Sequence, residues 1–529
     1  MPETPEPKAP NVARASGIMF ASLFLSRVLG ILRDTVMAAK FGVGAETDAY
    51  RLAFQIPDLI FFAVAGGALS SAFIPVFSEF LHTDREEDAW KLFSVVVTLM
   101  SIIVIAFIAL AWIFALPLAH VIAPGKSEQL LPLIAHMSRI VLPAQYAFFI
   151  GGLMFGTLYA RQRFAAPGLA PNIYNLGIIF GAVFLSGYFT VGVIGMSWGA
   201  MLGAVVGNFV VPFYVMRKLG AKFSPSLDLK HPGVKKVFKL MLPVVLGLSL
   251  PGVYGLIMQA FGSYYKDGIN TALDLSNKLM QAPLGIFGQS LALAVFPALT
   301  QFFAQTRMDM FRNQLGSTLR TVLYLTIPIS VAMFILAPEI VALAYQYGKA
   351  RNADLPALVS CLRMFSFGIF AWCMHPVLMR GFFAVQQSVL PVILGTVTTA
   401  IFLGLVYGLR GTSLSYLALP LSSSISAIAL VIMLSLGVRS TIGGLDMRGL
   451  GVTLLKSALA SVAMGLFVWA AVAYTPAGGT GIGRNAVAAA KLFGFGAVGA
   501  WLYYFLTKKM GMPETAYIAR AMNRGKAAA

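Results

Sequence analysis

Apolar runs of about 20 residues recur along this chain from Gly17 to Leu506, separated by short polar connections. A helix rises about 1.5 Å per residue and the hydrocarbon core of a bilayer is about 30 Å thick, so each run is long enough to span a membrane. We predict an all-α polytopic membrane protein with fourteen transmembrane helices, centred near residues 27, 66, 103, 146, 178, 204, 249, 286, 328, 369, 399, 424, 461 and 497.

The chain contains an internal duplication. Thr47–Pro57 aligns with Leu273–Pro283 at a shift of 226 residues, with Asp, Gln and Pro coincident. A chance match of common membrane residues is the alternative, but several separate matches in the same order favour a true repeat. The further matches, at shifts of 221 to 224, are Ala72–Pro75 with Ala294–Pro297, Pro117 with Pro338, Tyr159–Gln162 with Phe383–Gln386, and Pro167 with Pro391.

The duplication predicts two six-helix lobes. Because six is even, both lobes begin on the same side of the membrane and the repeats are parallel, an architecture in which transporters bind substrate between the halves and work by alternating access. Two additional C-terminal helices have no counterpart, and they either add packing or form a lipid-facing surface. The predicted divisions are an N-terminal tail 1–14, a lobe 15–218, a linker 219–232, a lobe 233–437, the additional helices 438–510 and a C-terminal tail 511–529.

The chain is 58% hydrophobic and 11% charged, with a formal net charge of +19. On a fourteen-span topology with the N-terminus inside, 25 of the 39 Lys and Arg residues lie on the cytoplasmic side, eight outside and six within spans. This distribution follows the positive-inside rule and argues against a nucleic-acid partner. The N-terminus also lacks the basic region and cleavage site of a signal peptide. We predict a multi-pass membrane protein with both termini in the cytoplasm.

No pattern of residues indicates catalysis, a metal or a cofactor. Cys361 and Cys373 are twelve residues apart in one predicted span, which disfavours a disulfide, and the five histidines have no metal-ligand spacing. Gly478–Gly483 resembles a dinucleotide loop but has no strand before it, so an external loop is the better interpretation. The protein is therefore predicted not to be an enzyme.

Polar residues inside the spans are arranged in stripes. Arg27 falls near the bilayer midplane of the first span, where a cation normally faces a bundle interior or a wet cavity. The second and eighth spans each carry polar residues at helical spacing, and these either line a cavity or pair to hold helices together. The predicted substrate-binding residues are Arg27, Arg33, Asp48, Arg51, Asp274, Lys278 and Gln281, and in the second span Asp48, Arg51, Gln55 and Asp58 are expected on one helix face.

Proline and glycine interrupt the same two spans. The predicted hinges are Pro57, Gly66, Gly67, Pro283 and Gly285, at which a rocking transporter could bend. In the sixth span, the glycines 199, 203 and 207 repeat every four residues. This small-residue spacing predicts close helix packing and not a ligand site.

Several motifs together resemble the MurJ (MviN) family, from about residue 15 to 510. They are Ser26–Asp34, Thr47–Tyr50, Gly67–Pro75, the Pro167, Ala170–Asn172 and Asn175 pattern, Gln346–Lys349 and Gly381–Phe383. The family belongs to the multidrug/oligosaccharidyl-lipid/polysaccharide exporter superfamily. The resemblance implies export of lipid II, the undecaprenyl-pyrophosphate-linked peptidoglycan precursor, across the bacterial inner membrane, with the two extra helices forming a lipid-open groove for the polyprenyl tail.

The family's charged residues match this chain unevenly. Arg27, Arg33 and Asp48 match family charges, and Lys278 stands where the family has arginine. Second-span charges of other members are replaced by Phe61, Phe62 and Gly66, and eighth-span acidic residues by Asn277 and Gln281. Some relatives bind sodium through carboxylates in the seventh and eleventh spans. Residues 246–258 and 390–405 contain none here, which predicts the absence of a sodium site.

Alternative functions remain open at the level of sequence. Within transporters, the alternatives are a flippase for another polyprenyl-linked saccharide and a drug/cation antiporter of the same superfamily. Outside transporters, they are a membrane scaffold for cell-wall synthesis enzymes and a polyprenyl-phosphate transferase, although no paired acidic cluster for Mg²⁺ exists. The expected partners are lipid II, membrane lipids and possible cell-wall synthesis or division proteins.

Overall fold

The computed structural model describes residues 12–63, 66–81, 83, 85–350, 355–475 and 482–516, and within them the chain is helical without strands. The helices are α1 (Val12–Phe41), α2 (Ala45–Ala53), α3 (Gln55–Ala63), α4 (Gly66–Leu81), α5 (Glu86–Ile113), α6 (Ala115–Ile122), α7 (Leu131–Val141), α8 (Ala144–Ala160), α9 (Ala165–Phe180), α10 (Val193–Ala204), α11 (Val211–Lys218), α12 (Pro232–Gly262), α13 (Ile269–Pro283), α14 (Ser290–Ala304), α15 (Met308–Ile335), α16 (Ala337–Tyr345), α17 (Leu355–Ser366), α18 (Ile369–Ala384), α19 (Val389–Leu409), α20 (Ala418–Thr441), α21 (Met447–Tyr474) and α22 (Ile482–Lys509).

Ten described helical segments are long and apolar enough to cross a membrane, and the bent pair α17–α18 adds an eleventh. This confirms a polytopic all-α membrane protein. The predicted spans centred near residues 27, 66 and 249 are not among the eleven, and each includes residues whose side chains lie outside the described part of the chain. The count of fourteen therefore stays a prediction.

The chain forms two compact units, residues 1–270 and 271–529. The boundary differs from the linker predicted at residues 219–232, because α12 packs within the first unit against α4. At this contact the His231 ring lies 5.4 Å from the Phe80 ring, and Lys236 forms an ion pair with Glu79. The predicted boundary rests on internal homology, which compactness does not test, so it stays a prediction.

Glycines bring α9 and α10 into backbone contact in the first unit. A Cβ atom added to Gly177 would lie only 2.6 Å from the Cα of Gly203, and one added to Gly203 would lie 2.9 Å from the carbonyl oxygen of Tyr174. Any larger residue at these positions would force the helices apart. The close packing that the glycine spacing predicted for the sixth span is confirmed.

The second predicted span is broken at Phe54, between α2 and α3. Pro57 has no N–H, so it cannot donate to the carbonyl oxygen of Ala53 four residues earlier. The hydroxyl of Ser138 on α7 donates to that oxygen instead, at 2.8 Å. A side chain from another helix thus satisfies the acceptor that the proline leaves open.

The tenth predicted span is also two helices and not one, since α17 and α18 meet at an angle of 48°. Gly368 lies at the bend, where an added Cβ would be 2.8 Å from the Cα of Ser424 on α20. The Ser424 hydroxyl donates to the carbonyl oxygen of Met364 at 2.7 Å. The bend therefore allows α20 to approach closely.

The two additional helices, α21 and α22, pack in the second unit around α15. Tyr503 donates its hydroxyl to the carbonyl oxygen of Tyr324 at 2.7 Å, and Met464 and Val468 belong to the same buried cluster. Their opposite faces carry large exposed apolar residues, among them Trp469, Phe493 and Trp501. These helices therefore both add packing and present an apolar outer surface that suits lipid.

Candidate functional site

A polar network joins three helices of the first unit around Asp34. The guanidinium of Arg33 donates from Nε to Oδ1 of Asp34 at 3.1 Å and from Nη1 to Oδ1 of Asn175 at 2.9 Å. Arg51 on α2 donates from Nη2 to Oδ1 of Asp34 at 2.9 Å. Residues from α1, α2 and α9 therefore meet at one carboxylate.

This network is almost fully removed from solvent, because the side chain of Asp34 is 3% exposed and those of Arg33 and Arg51 are 17% and 11% exposed. Buried charges are tolerated when they are paired and hydrogen-bonded. Here two guanidinium groups share one carboxylate, so these three residues together carry a net positive charge. The arrangement fastens α1 to α2 and α9.

Arg27 lies on α1 two turns before Asp34, and its side chain is exposed on the first unit. Among the described residues, no carboxylate, carbonyl or hydroxyl accepts a hydrogen bond from it. Within the described part of the chain, none of its five N–H donors is used in a hydrogen bond to protein. Of the predicted first-unit residues, it is the one best placed to bind an anion directly.

Asp48 belongs to a different cluster. Its side chain is fully buried, and Oδ2 accepts from Nζ of Lys126 at 2.7 Å and from the backbone N–H of Gly268 at 2.8 Å. Lys126 is 2% exposed and also contacts Oδ1 of Asp267 at 3.0 Å. The carboxylate thus joins α2 to the loops after α6 and α12.

The expectation that Asp48, Arg51, Gln55 and Asp58 share one helix face stays a prediction, since the helix is interrupted at Phe54 between α2 and α3. Within α2, Asp48 turns to Lys126 while Arg51 turns to Asp34. The spacing rule for a continuous helix does not extend across the break. Substrate binding by Asp48 and Arg51 stays a prediction.

The eighth-span residues pair along α13 in the second unit. Nζ of Lys278 lies 3.0 Å from Oδ2 of Asp274, one turn earlier, and both side chains are partly exposed. Gln281 donates from Nε2 to Oδ1 of Asn277 at 2.6 Å. Lys278 is therefore a partly exposed cation beside a carboxylate of its own helix.

The predicted hinges coincide with interruptions where the structure describes them. Pro57 follows the α2–α3 break, and Pro283 ends α13 before a π-helical turn, Leu284–Gln289, that contains Gly285. Such wide turns are frequent at functional sites. Gly66 and Gly67 begin α4, immediately after residues outside the described part of the chain. Bending at these positions stays a prediction.

Sequence reasoning missed Lys126 and Asn175 as partners of the charged residues. Lys126 lies in the short connection between α6 and α7, where a lysine is ordinarily solvated. The sequence feature that could have indicated burial of Lys126 is the adjacent Gly125. This glycine packs so tightly that an added Cβ would lie 2.6 Å from the backbone nitrogen of Tyr264. Asn175 is 142 residues from Arg33, beyond any spacing rule.

The family model described as Lipid II flippase MurJ matches residues 37–514 of this chain. The chain belongs to the MurJ family. This is a family of transporters and not of catalytic enzymes, and membership agrees with the buried charges and the multi-span fold described above.

Individual relatives align over most of their length. A probable lipid II flippase MurJ of Haemophilus influenzae is 27% identical over 472 residues, covering 84% of this chain and 90% of that protein. A probable lipid II flippase MurJ of Thermotoga maritima is 25% identical over 445 residues, covering 84% and 88%. The lipid II flippase MurJ of Burkholderia cenocepacia is 27% identical over 393 residues, covering 72% and 75%.

Solved structures agree on the fold. One titled as lipid II flippase MurJ in an inward closed conformation matches with a TM-score of 0.77 at 23% identity, covering 93% of this chain and 98% of that chain. A multidrug resistance MATE family transporter of the MOP superfamily, in an inward-facing conformation, matches with a TM-score of 0.59 at 16% identity, covering 80% and 98%. At these identities the likeness concerns the fold.

Proposed function

We propose that this protein is a lipid II flippase, which moves the undecaprenyl-pyrophosphate-linked peptidoglycan precursor from the cytoplasmic to the outer leaflet of the bacterial inner membrane. Membership of the MurJ family supports this substrate, since the curated relatives carry that activity in their names. The observation that carries the proposal in this chain is Arg27, an exposed cation in an apolar helix that no described residue neutralises.

The substrate requires such a cation. A diphosphate bearing a large polar headgroup loses its hydration when it enters a protein cavity, and charged hydrogen bonds from fixed donors must replace that hydration. Arg27 provides the forked donor geometry that matches phosphate oxygens, and Arg33 adds positive charge from within its network. Lys278 supplies a cation from the second unit. The polyprenyl tail stays in lipid.

No sequence pattern indicates nucleotide hydrolysis, so we assign the driving force to the membrane potential or to consumption of the product. One elementary charge moved through the membrane field gains about 2.3 kcal/mol per 100 mV. An empty cationic site is therefore driven towards the negative cytoplasmic side, where new substrate binds. This direction requires both termini to be cytoplasmic, as the distribution of Lys and Arg predicts.

The test uses bacterial cells whose own flippase can be depleted. Cells that produce the wild-type chain should keep growing and should present lipid II to an externally added lipid II-degrading enzyme. Arg27→Ala should insert at normal levels but should support neither growth nor exposure of lipid II, because the diphosphate loses a cationic ligand. Arg163→Ala is the matched control, since Arg163 is an exposed arginine of the same unit outside the apolar spans.

Two results would contradict the proposal. If the wild-type chain at normal membrane levels leaves lipid II on the cytoplasmic leaflet, the substrate assignment fails. If Arg27→Ala flips lipid II as fast as the wild type does, the substrate assignment stands but the cationic mechanism fails.

A further inference from the structure

A polar cavity lies at the end of the second unit where α14 meets α15 and α20 meets α21. Its volume is about 590 Å³, within the range of small-ligand sites. The lining includes two guanidinium groups, Arg312 and Arg320, and one carboxylate, Asp446, so the lining is net cationic. None of the residues assigned above to lipid II binding lines this cavity.

The two arginines are held by contacts that leave part of each guanidinium available. Arg312 donates from Nε to the carbonyl oxygen of Ile442 at 2.8 Å and from Nη1 to Oδ1 of Asp309 at 3.0 Å. Arg320 donates from Nη1 to Oδ2 of Asp446 at 2.5 Å, and its Nε lies 3.4 Å from Oε1 of Glu514. Within the described residues, Nη2 of each arginine has no acceptor.

The acidic partners position the arginines without filling the cavity. Asp446 also accepts from the backbone N–H of Gly449 at 2.8 Å, so it caps the N-terminus of α21, and the helix dipole offsets part of its charge. The Asp309 side chain is 92% exposed, and water screens its charge. Glu514 is buried and is not part of the cavity lining.

Other features of the lining suit a phosphate joined to an apolar group. Asn313 and Ser317 on α15 add neutral hydrogen-bonding groups, and Phe302, Met310 and Leu445 add apolar surface. Gly443 has a φ of +71°, and an added Cβ there would lie 2.9 Å from Nη2 of Arg312, so the glycine leaves the guanidinium uncovered. On the proposed topology this end of the unit faces the cytoplasmic leaflet.

We infer that this cavity binds a phosphate ester through Nη2 of Arg312 and Arg320. The ester belongs either to an anionic lipid headgroup of the cytoplasmic leaflet or to a soluble phosphate compound. Basic pockets between transmembrane helices on that side are suited to anionic headgroups, and two oriented guanidinium groups match the oxygens of a phosphate. The site is separate from lipid II transport, and occupancy would join the α20–α21 connection to α15.

The experiment measures ligand retention by the purified full-length protein in detergent, using native mass spectrometry. The probes are phosphatidylglycerol, diacylglycerol with the same acyl chains, and sn-glycerol 3-phosphate. The wild type should retain one phosphatidylglycerol at least tenfold more than diacylglycerol, which lacks the phosphate. The double variant R312Q/R320Q should lose this preference, whereas Arg439→Gln, an exposed arginine at the same end that does not line the cavity, should keep it.

Arg320 also holds Asp446 and Glu514, so the double variant could unfold. Ser317→Asp provides an independent test, because it places a negative charge in the cavity without removing an arginine, and it should lower retention about tenfold. Displacement of the lipid by millimolar sn-glycerol 3-phosphate would assign the site to soluble esters, and failure to displace it would assign it to lipid. Equal retention of phosphatidylglycerol and diacylglycerol, or full retention by folded Ser317→Asp, would overturn the inference.

Discussion

The ammonium group of Lys126 lies 2.7 Å from the carboxylate of Asp48, and both side chains are almost completely buried. Removing one partner of such a pair leaves an unpaired buried charge, at a cost of about 3–5 kcal/mol. Lys126→Met should therefore destabilise the protein strongly. Asp48→Asn should cost less, because Lys126 keeps its contact with Asp267.

The measurement is the melting temperature of each purified variant in one detergent, followed by tryptophan fluorescence. The double variant K126M/D48N should melt above K126M alone, since it removes the stranded carboxylate. Equal melting temperatures for K126M and the wild type would show that the pair does not stabilise the first unit.

The break between α2 and α3 predicts that the stability effects of changing Ser138 and Pro57 depend on each other. Ser138→Ala should lower stability by about 1–3 kcal/mol, because the carbonyl oxygen of Ala53 loses its donor inside the protein. In a Pro57→Ala background, residue 57 has a backbone N–H that can donate to that oxygen. Ser138→Ala should therefore lower stability much less in this background. A double-mutant cycle on melting temperature measures the coupling, and additive effects would contradict it.

Lys278 is predicted to act as a substrate cation in the second unit. Lys278→Ala should reduce lipid II flipping at unchanged protein levels, whereas Lys278→Arg should retain or improve flipping because a guanidinium can contact two phosphate oxygens. Arg27→Lys should be only partly active for the same geometric reason. The readout is exposure of lipid II at the cell surface, and full activity of both K278A and R27A would remove the cationic mechanism.

The topology can be tested with reporters that are active on only one side of the membrane. Fusions within residues 217–236 should report the cytoplasm, and fusions within residues 478–483 should report the outside, because seven predicted spans, the seventh to the thirteenth, lie between the two segments. Reports from the same side would refute the fourteen-span arrangement.

Sodium independence follows from the seventh and eleventh predicted spans, where residues 246–258 and 390–405 contain no carboxylate. Replacing Na⁺ with another monovalent cation at constant membrane potential should leave flipping unchanged. The test requires vesicles or cells in which potential and ion composition are set separately. Loss of flipping on removal of Na⁺ would show that sodium binds through other groups.

The sequence predicted those features that depend on residues close together in the chain. Hydrophobic run lengths predicted the helical membrane fold, and the four-residue glycine spacing predicted that α10 packs closely against a neighbouring helix. The position of Pro57 predicted an interruption in the second span. Each of these follows from one helix and its own geometry.

Features that depend on distant segments escaped prediction. Arg33 meets Asn175 across 142 positions, and Lys126 meets Asp267 across 141. No periodicity relates such positions, and a loop lysine is ordinarily solvated.

The contact between Gly177 and Gly203 has a practical consequence for following the transport cycle. Two helices whose backbones touch at glycines cannot approach each other any more closely, so we expect the distance between them to change less than distances to helices that pack through long side chains. Probe pairs placed at the outward-facing positions of α9 and α10 therefore provide an internal reference length in spectroscopic distance measurements. A change measured elsewhere in the first unit can then be separated from a loss of folding.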